Sequence, residues 1–199
     1  MTEPEGERAV GARDFDPDKL ADAEYAGWVA YYRRQWAPFL GAALRMVRVG
    51  FGLSGPRTLR AAWCVLRANQ VWAPYPRNNP DRARAYMRRF YTLLARAGEL
   101  SADPAEAARR EVEWWRVHRV HQREDGLSED DLTAALVDLY SYVYRTDAES
   151  VREAAGHRVR AMAHSDAWVA GGLQDRELLE QVLAQLRASY RALRATVGP

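Results

Sequence analysis

Four prolines in this chain follow residues that turn the backbone or cap a helix: Asp16-Pro17, Gly55-Pro56, Asn79-Pro80 and Asp103-Pro104. Proline is tolerated at the first position of a helix because the N–H it lacks has no intrahelical partner there. Each pair therefore reads as a helix start. Asp103-Pro104-Ala105-Glu106 also carries the capping-box pattern. Ser128, ahead of Glu129, Asp130 and Asp131, adds a fifth start, and Asp147 a sixth. Gly98 and Gly126 read as stops, and Gly171-Gly172 as a break before a last helix.

This punctuation predicts helices over 17–52 (with a break near Pro38), 56–72, 80–97, 104–124, 128–145, 148–170 and 174–195. No run alternates with period two, so no strand is expected. The predicted fold class is all-α: a single-domain bundle of about seven helices over 17–199, packed antiparallel because most links are short. The exception is the proline-aromatic loop WAPYPRNN at 72–79. Residues 1–16 are poor in apolar side chains and are expected to form a disordered acidic tail.

The 199 residues suffice for one domain with a sizeable core. The single cysteine, Cys64, leaves no internal disulfide framework and fits a reducing compartment. MTEPEGERAV does not resemble a signal peptide, and no transmembrane segment is expected, so the reading is a soluble cytoplasmic protein. Lys19 is the only lysine and isoleucine is absent, as GC-rich coding favours. The arginine count is thus poor evidence for nucleic acid, and the net charge of +2 agrees; no nucleic-acid partner is expected.

Charge is unevenly placed. Residues 25–98 hold thirteen arginines and one acid, Asp81, whereas 1–24 and 99–199 are net acidic. The plainer reading is a basic half packed against an acidic half. The other is a basic surface for a protein, an anionic partner or lipid headgroups. The stretch 36–53, WAPFLGAALRMVRVGFGL, reads as a core helix, although a peripheral membrane helix would share its composition.

The strongest candidate for chemistry is EVEWWRVHRVHQ at 111–122. At about 100° per residue, Glu111, Trp114, Trp115, His118, His121 and Gln122 fall within roughly one third of the helix circumference. Arg109, Arg116, Arg119 and Arg123 take the opposite side. Polar groups on an apolar face need a partner, a metal or a substrate. His157 and His164 share a stripe on another helix, continued by Trp168. Together with His118 and His121 they form a candidate metal set, for iron, and any one could ligate a non-covalent haem. The Glu-x-x-His spacing of di-iron bundles is absent. The metal-free alternative makes His118 or His121 a general base paired with Glu111.

Arg158 falls mid-stripe among Val151, Ala155, Met162 and Val169, and Glu111 is its expected carboxylate partner. Glu24, in line with Trp28 and Tyr31, is a further inward carboxylate. Asn69 and Gln70 lie on an apolar face and, with Trp72 and Tyr75, would line a pocket. Tyr140, Tyr142 and Tyr144 cannot all point inward, and a homodimer would cover one left outside.

Glycine-rich phosphate loops, the Rossmann fingerprint, Gly-x-Ser-x-Gly and His-Glu-x-x-His are all missing. The leading expectation is a small helical enzyme, an iron- or haem-dependent oxidoreductase acting on an aromatic or hydrophobic small molecule in an internal pocket. In it Glu111, His118 and His121 carry the chemistry, and Trp114, Trp115, Arg158, Asn69, Gln70 and Trp168 bind substrate. The competing expectation is a non-enzymatic accessory protein working through the basic 25–98 surface.

Overall fold

A computed structural model describes residues 11–124 and 126–198. Among them lie eight helices and no strand: α1 Pro17–Tyr32, α2 Trp36–Phe51, α3 Gly55–Trp72, α4 Pro80–Arg96, α5 Pro104–Arg123, α6 Glu129–Tyr144, α7 Arg152–Ala170 and α8 Arg176–Val197. The chain is a single all-α domain, with one helix more than the sequence predicts.

The extra helix comes from a break at 33–35 rather than at Pro38. Arg34 adopts the left-handed conformation, and Gln35 N–H closes the end of α1 on Ala30 O at 2.8 Å. The guanidinium of Arg34 donates to Ala73 O and lies over the Tyr31 ring, which holds this residue in place. Pro38 sits in the first turn of α2, where its missing N–H costs nothing.

Most predicted caps are present. Asp16, Asn79 and Asp103 each accept backbone N–H groups from the first turn they open, and Asp175, which is not among the predicted starts, does the same for α8. The reciprocal capping box is at Ser128 and Asp131. At Asp103 it is only half made, because Glu106 turns instead to Arg109 and Arg110. Asp147 caps a turn, accepting from Glu149 and Ser150, and α7 begins only at Arg152.

Each helix packs on its sequence neighbours, and α8 returns to pack on α1, so the eight close into a ring. The register of the closure is visible in its ion pairs. Asp14, Asp18 and Asp22 meet Arg194, Arg191 and Arg187 in turn, so α1 and α8 run antiparallel. Ala154 and His157 likewise meet Ser189 and Gln185 across α7 and α8.

The tail expected over 1–16 divides at the limit of description. Residues 1–10 lie outside the described residues. Ala12 and Phe15 are core side chains, and Phe15 packs edge-on against Tyr190.

The charge expectation divides: the basic helices do pack beside the acidic segments, α2 on α1 and α4 on α5, but among the described residues no ion pair joins them. Of the thirteen arginines in 25–98, only Arg84 has a carboxylate in ion-pair range among the described residues, and that carboxylate is Asp81, its own neighbour. The ion pairs between elements belong to the rest of the chain: α1 and its lead-in with α8, α5 with α6, and α1 with α7. The basic half does not neutralise the acidic half.

Candidate functional site

All eight helices contribute to one internal chamber of about 230 Å³. Most of its wall is apolar, from Leu20, Phe39, Phe51, Met87, Phe90, Leu136, Leu139, Val143 and Leu193. Two carboxylates, Glu24 and Glu111, interrupt that wall, together with Arg158 and the hydroxyls of Tyr91, Tyr140, Tyr144 and Tyr190.

Glu111 reaches the chamber from the second turn of α5. Its Oε1 accepts both indole N–H groups, from Trp114 at 3.2 Å and Trp115 at 3.1 Å, and its Oε2 accepts the Tyr91 hydroxyl at 2.7 Å. Burial pushes this carboxyl above its ordinary value, while the Tyr91 hydrogen bond, the Arg158 charge and the two indoles pull it back. Since Oε1 already takes two N–H donors, a proton on Glu111 belongs on Oε2, toward Tyr91. Tyr91 is itself raised well above the usual phenol range, by burial and then by the Glu111 charge, and stays protonated, so it donates to the ionised carboxylate and accepts from the protonated one.

Arg158 meets Glu24 rather than Glu111, which corrects the expected pairing. Its Nη1 donates to Glu24 Oε2 at 2.9 Å, and its Nη2 to Glu24 Oε1. The Tyr190 hydroxyl donates to the same Oε2 at 2.6 Å. Burial opposes the charge on Arg158, but Glu24, Tyr140 and Tyr190 together outweigh it and the guanidinium is held firmly protonated. Its planar head lies between Trp28 and Trp114, 5.7 and 5.5 Å from the two ring centroids. Two polar atoms beside it have no hydrogen-bond partner among the described residues: Arg158 Nε and the Tyr140 hydroxyl.

A second, smaller pocket of about 90 Å³ adjoins the first, sharing Trp28, Asn69, Trp114 and Trp115 as a common wall. On its far side are His118, Arg119, Gln122, Tyr31 and Tyr32. His118 Nε2 lies 3.0 Å from Asp166 Oδ2, and its ring stacks on Trp114. Gln122 donates to the other Asp166 oxygen at 2.6 Å. Arg119, expected outside, turns in to Tyr31 and Trp72.

The expected face of α5 thus stands, but its residues serve three places. Glu111, Trp114 and Trp115 face the chamber, and His118 and Gln122 the second pocket. His121 Nδ1 contacts Leu127 O at 2.9 Å and ties down the loop after α5. Neither histidine pairs with Glu111.

The four histidines are not brought together. His157 contacts Gln185 and Arg160, and His164 makes no side-chain hydrogen bond among the described residues. No group of three or more His, Cys, Asp or Glu side chains is placed to hold one ion among the described residues. No histidine lines the chamber, so a haem there would have no imidazole to ligate it.

Asn69 lines both spaces, anchored through its Nδ2 on Val65 O. Gln70 accepts from Arg67 and lines neither. Trp168 is fully buried beside Tyr32 and under Arg33, away from both. Trp72 joins the second pocket, whereas Tyr75 is exposed and donates to Glu124. Tyr140 and Tyr144 face inward and Tyr142 is covered by Arg110 within the chain. Sequence reasoning missed Tyr91, Tyr190 and Asp166. Tyr91 lies on the buried face of α4 with Met87, Phe90 and Leu94, and nothing local marks any of the three.

Fold and site together define an all-α ring with an internal chamber and an adjoining antechamber. The chain shows no significant match to any protein-family model, curated protein or solved structure.

Proposed function

We propose that this protein binds a compact, mainly apolar small molecule in the central chamber, through one acceptor oxygen such as a carbonyl or hydroxyl. The observation that carries this reading is the pair of unpartnered donors, Tyr140 Oη and Arg158 Nε, on residues that line an otherwise apolar wall. A buried donor left without a partner costs about 1–3 kcal/mol. A ligand that lodges an oxygen between these two neighbouring side chains would relieve that cost. The chamber exceeds the roughly 150 Å³ apolar cavity that admits benzene, so a substituted ring or a branched chain is the appropriate size. If the bound molecule is transformed, Glu111 is the acid–base group: it lines the same wall, its carboxyl is raised, and Tyr91 is placed to exchange its proton. This reading needs neither iron nor haem.

The test is a thermal-shift and native mass-spectrometry screen of cyclic ketones, phenols and branched alcohols. A carbonyl or hydroxyl compound should raise Tm, and its saturated hydrocarbon analogue should do so less. Tyr140→Phe should keep the fold and weaken binding by about two- to tenfold, the worth of one hydrogen bond. Leu139→Phe should exclude the ligand by filling space. A chamber that takes only water, with no compound stabilising the protein at millimolar concentration, would refute the reading.

A further inference from the structure

We propose that the outer face of α3 and α4 docks on an anionic lipid bilayer. Leu59 and Trp63 enter the headgroup region there, and Arg60, Arg88, Arg89 and Arg96 meet lipid phosphates.

Three large hydrophobic side chains stand exposed among the described residues: Leu59, Trp63 and Tyr75. Leu59 is 54% exposed and Trp63 51%. They lie four residues apart, hence on one side of α3. Trp63 and the four arginines line one shallow groove between α3 and α4, of about 600 Å³. None of the four arginines has a carboxylate in ion-pair range among the described residues. The carboxylates that do form ion pairs elsewhere meet basic side chains of the remaining chain, and none reaches this face. The positive charge of this face is therefore available to an outside partner.

The form of the patch selects the partner. An acidic helix seated in the groove could cover Trp63, Cys64, Ala85 and Leu93 but would leave Leu59, outside the groove, uncovered, whereas a bilayer receives Leu59 and Trp63 together. A nucleic acid could stack on Trp63, but Leu59 beside it offers no flat face, whereas both side chains suit a bilayer interface. Exposed Trp and Leu beside arginines are what an anionic bilayer interface accepts: apolar groups pass the headgroups while guanidinium groups pair with phosphates. The charge is local, since the whole chain carries only +2. A planar anionic surface can meet one basic face without meeting the acidic helices elsewhere.

The experiment is co-sedimentation of the full chain with vesicles of phosphatidylcholine, with and without phosphatidylglycerol, at low and high salt. Binding is expected only with phosphatidylglycerol, and high salt should release it. Arg88→Glu with Arg89→Glu should lower partitioning at least roughly 25-fold, taking about fivefold per arginine near an anionic surface. Trp63→Ala should weaken binding while leaving its salt dependence intact. All three side chains are at or near the surface, and circular dichroism checks that the variants fold. The proposal is overturned if the protein stays in the supernatant with phosphatidylglycerol vesicles, or if the reversed arginines make no difference. It is overturned too if polyglutamate or a single-stranded oligonucleotide binds the same arginines more tightly than the vesicles do.

Discussion

Glu111 is a carboxyl whose proton and whose three donors compete. The indoles of Trp114 and Trp115 hold Oε1, Tyr91 holds Oε2, and burial still raises the group. A raised carboxyl contributes stability that is fully present below its unfolded value, 4.5, and is lost as pH climbs through the folded value. Glutamine copies the protonated form: its oxygen can accept both indoles while its amide donates to Tyr91. Wild type and Glu111→Gln should therefore have similar stability below pH 4.5. The variant should become progressively the more stable above it, as urea denaturation at a series of pH values will measure. Parallel curves would mean that Glu111 is not the buried acid described. Glu111→Ala should cost about 1–3 kcal/mol for each donor left unpaired, at any pH. The inward turn of Glu111 and the two tryptophans was legible, because helical periodicity alone fixes which residues of α5 share a face. Their partners were not. Tyr91 lies on another helix, as do Asp166, which meets His118 and Gln122, and Glu24, which meets Arg158, and sequence says little about how those helices are rotated against one another. The histidine stripe misled for the same reason. The buried face of α7 runs through Arg158, Met162, Ser165 and Trp168, with His157 and His164 on its margins.

At the level of elements, legibility followed the capping chemistry. Asp16, Asn79, Asp103 and Ser128 announced their helices because a short polar side chain before a first turn meets N–H groups that nothing else can satisfy. The gap at 33–35 was hidden, since a left-handed arginine carries no such signal whereas Pro38 looks like a break and is tolerated in a first turn. One position tests how closely α1 is fitted to its neighbour. Gly27 is mid-helix and borders the chamber. A Cβ there would meet Ala42 Cβ at 3.7 Å and Met46 Sδ at 4.0 Å, which is ordinary contact. Gly27→Ala should raise stability by about 0.5–1 kcal/mol through helix propensity alone. A thermal melt showing destabilisation instead would mean that α1 and α2 are packed more tightly than those distances allow.

The ring as a whole closes through Glu24, Arg158 and Tyr190, one residue each from α1, α7 and α8. Such a cluster fixes the arrangement of three helices, but it need not stabilise the fold in net terms, because three polar groups have left water to form it. The two contributions separate by mutation. Glu24→Ala strands the Arg158 charge in the core and should cost about 3–5 kcal/mol. Replacing the cluster together, Glu24→Leu with Arg158→Met and Tyr190→Phe, removes the charges at once and leaves only the Trp28 indole N–H, which donates to Glu24 at 3.2 Å, without its acceptor. It should return most of that loss, within about 1–2 kcal/mol of wild type, because apolar side chains of similar volume replace buried ion pairs at little cost. The same triple variant lacks Arg158 Nε, one of the two donors assigned to the ligand, so it should fold and yet bind more weakly. Urea denaturation followed by both tryptophan fluorescence and circular dichroism gives the stabilities, and coincident transitions would establish that the ring unfolds as one unit. A triple variant no more stable than Glu24→Ala would mean that the charged cluster specifies the closure of α1 on α7 and α8. A stable triple variant with undiminished ligand affinity would leave the closure argument standing and remove Arg158 from the binding site.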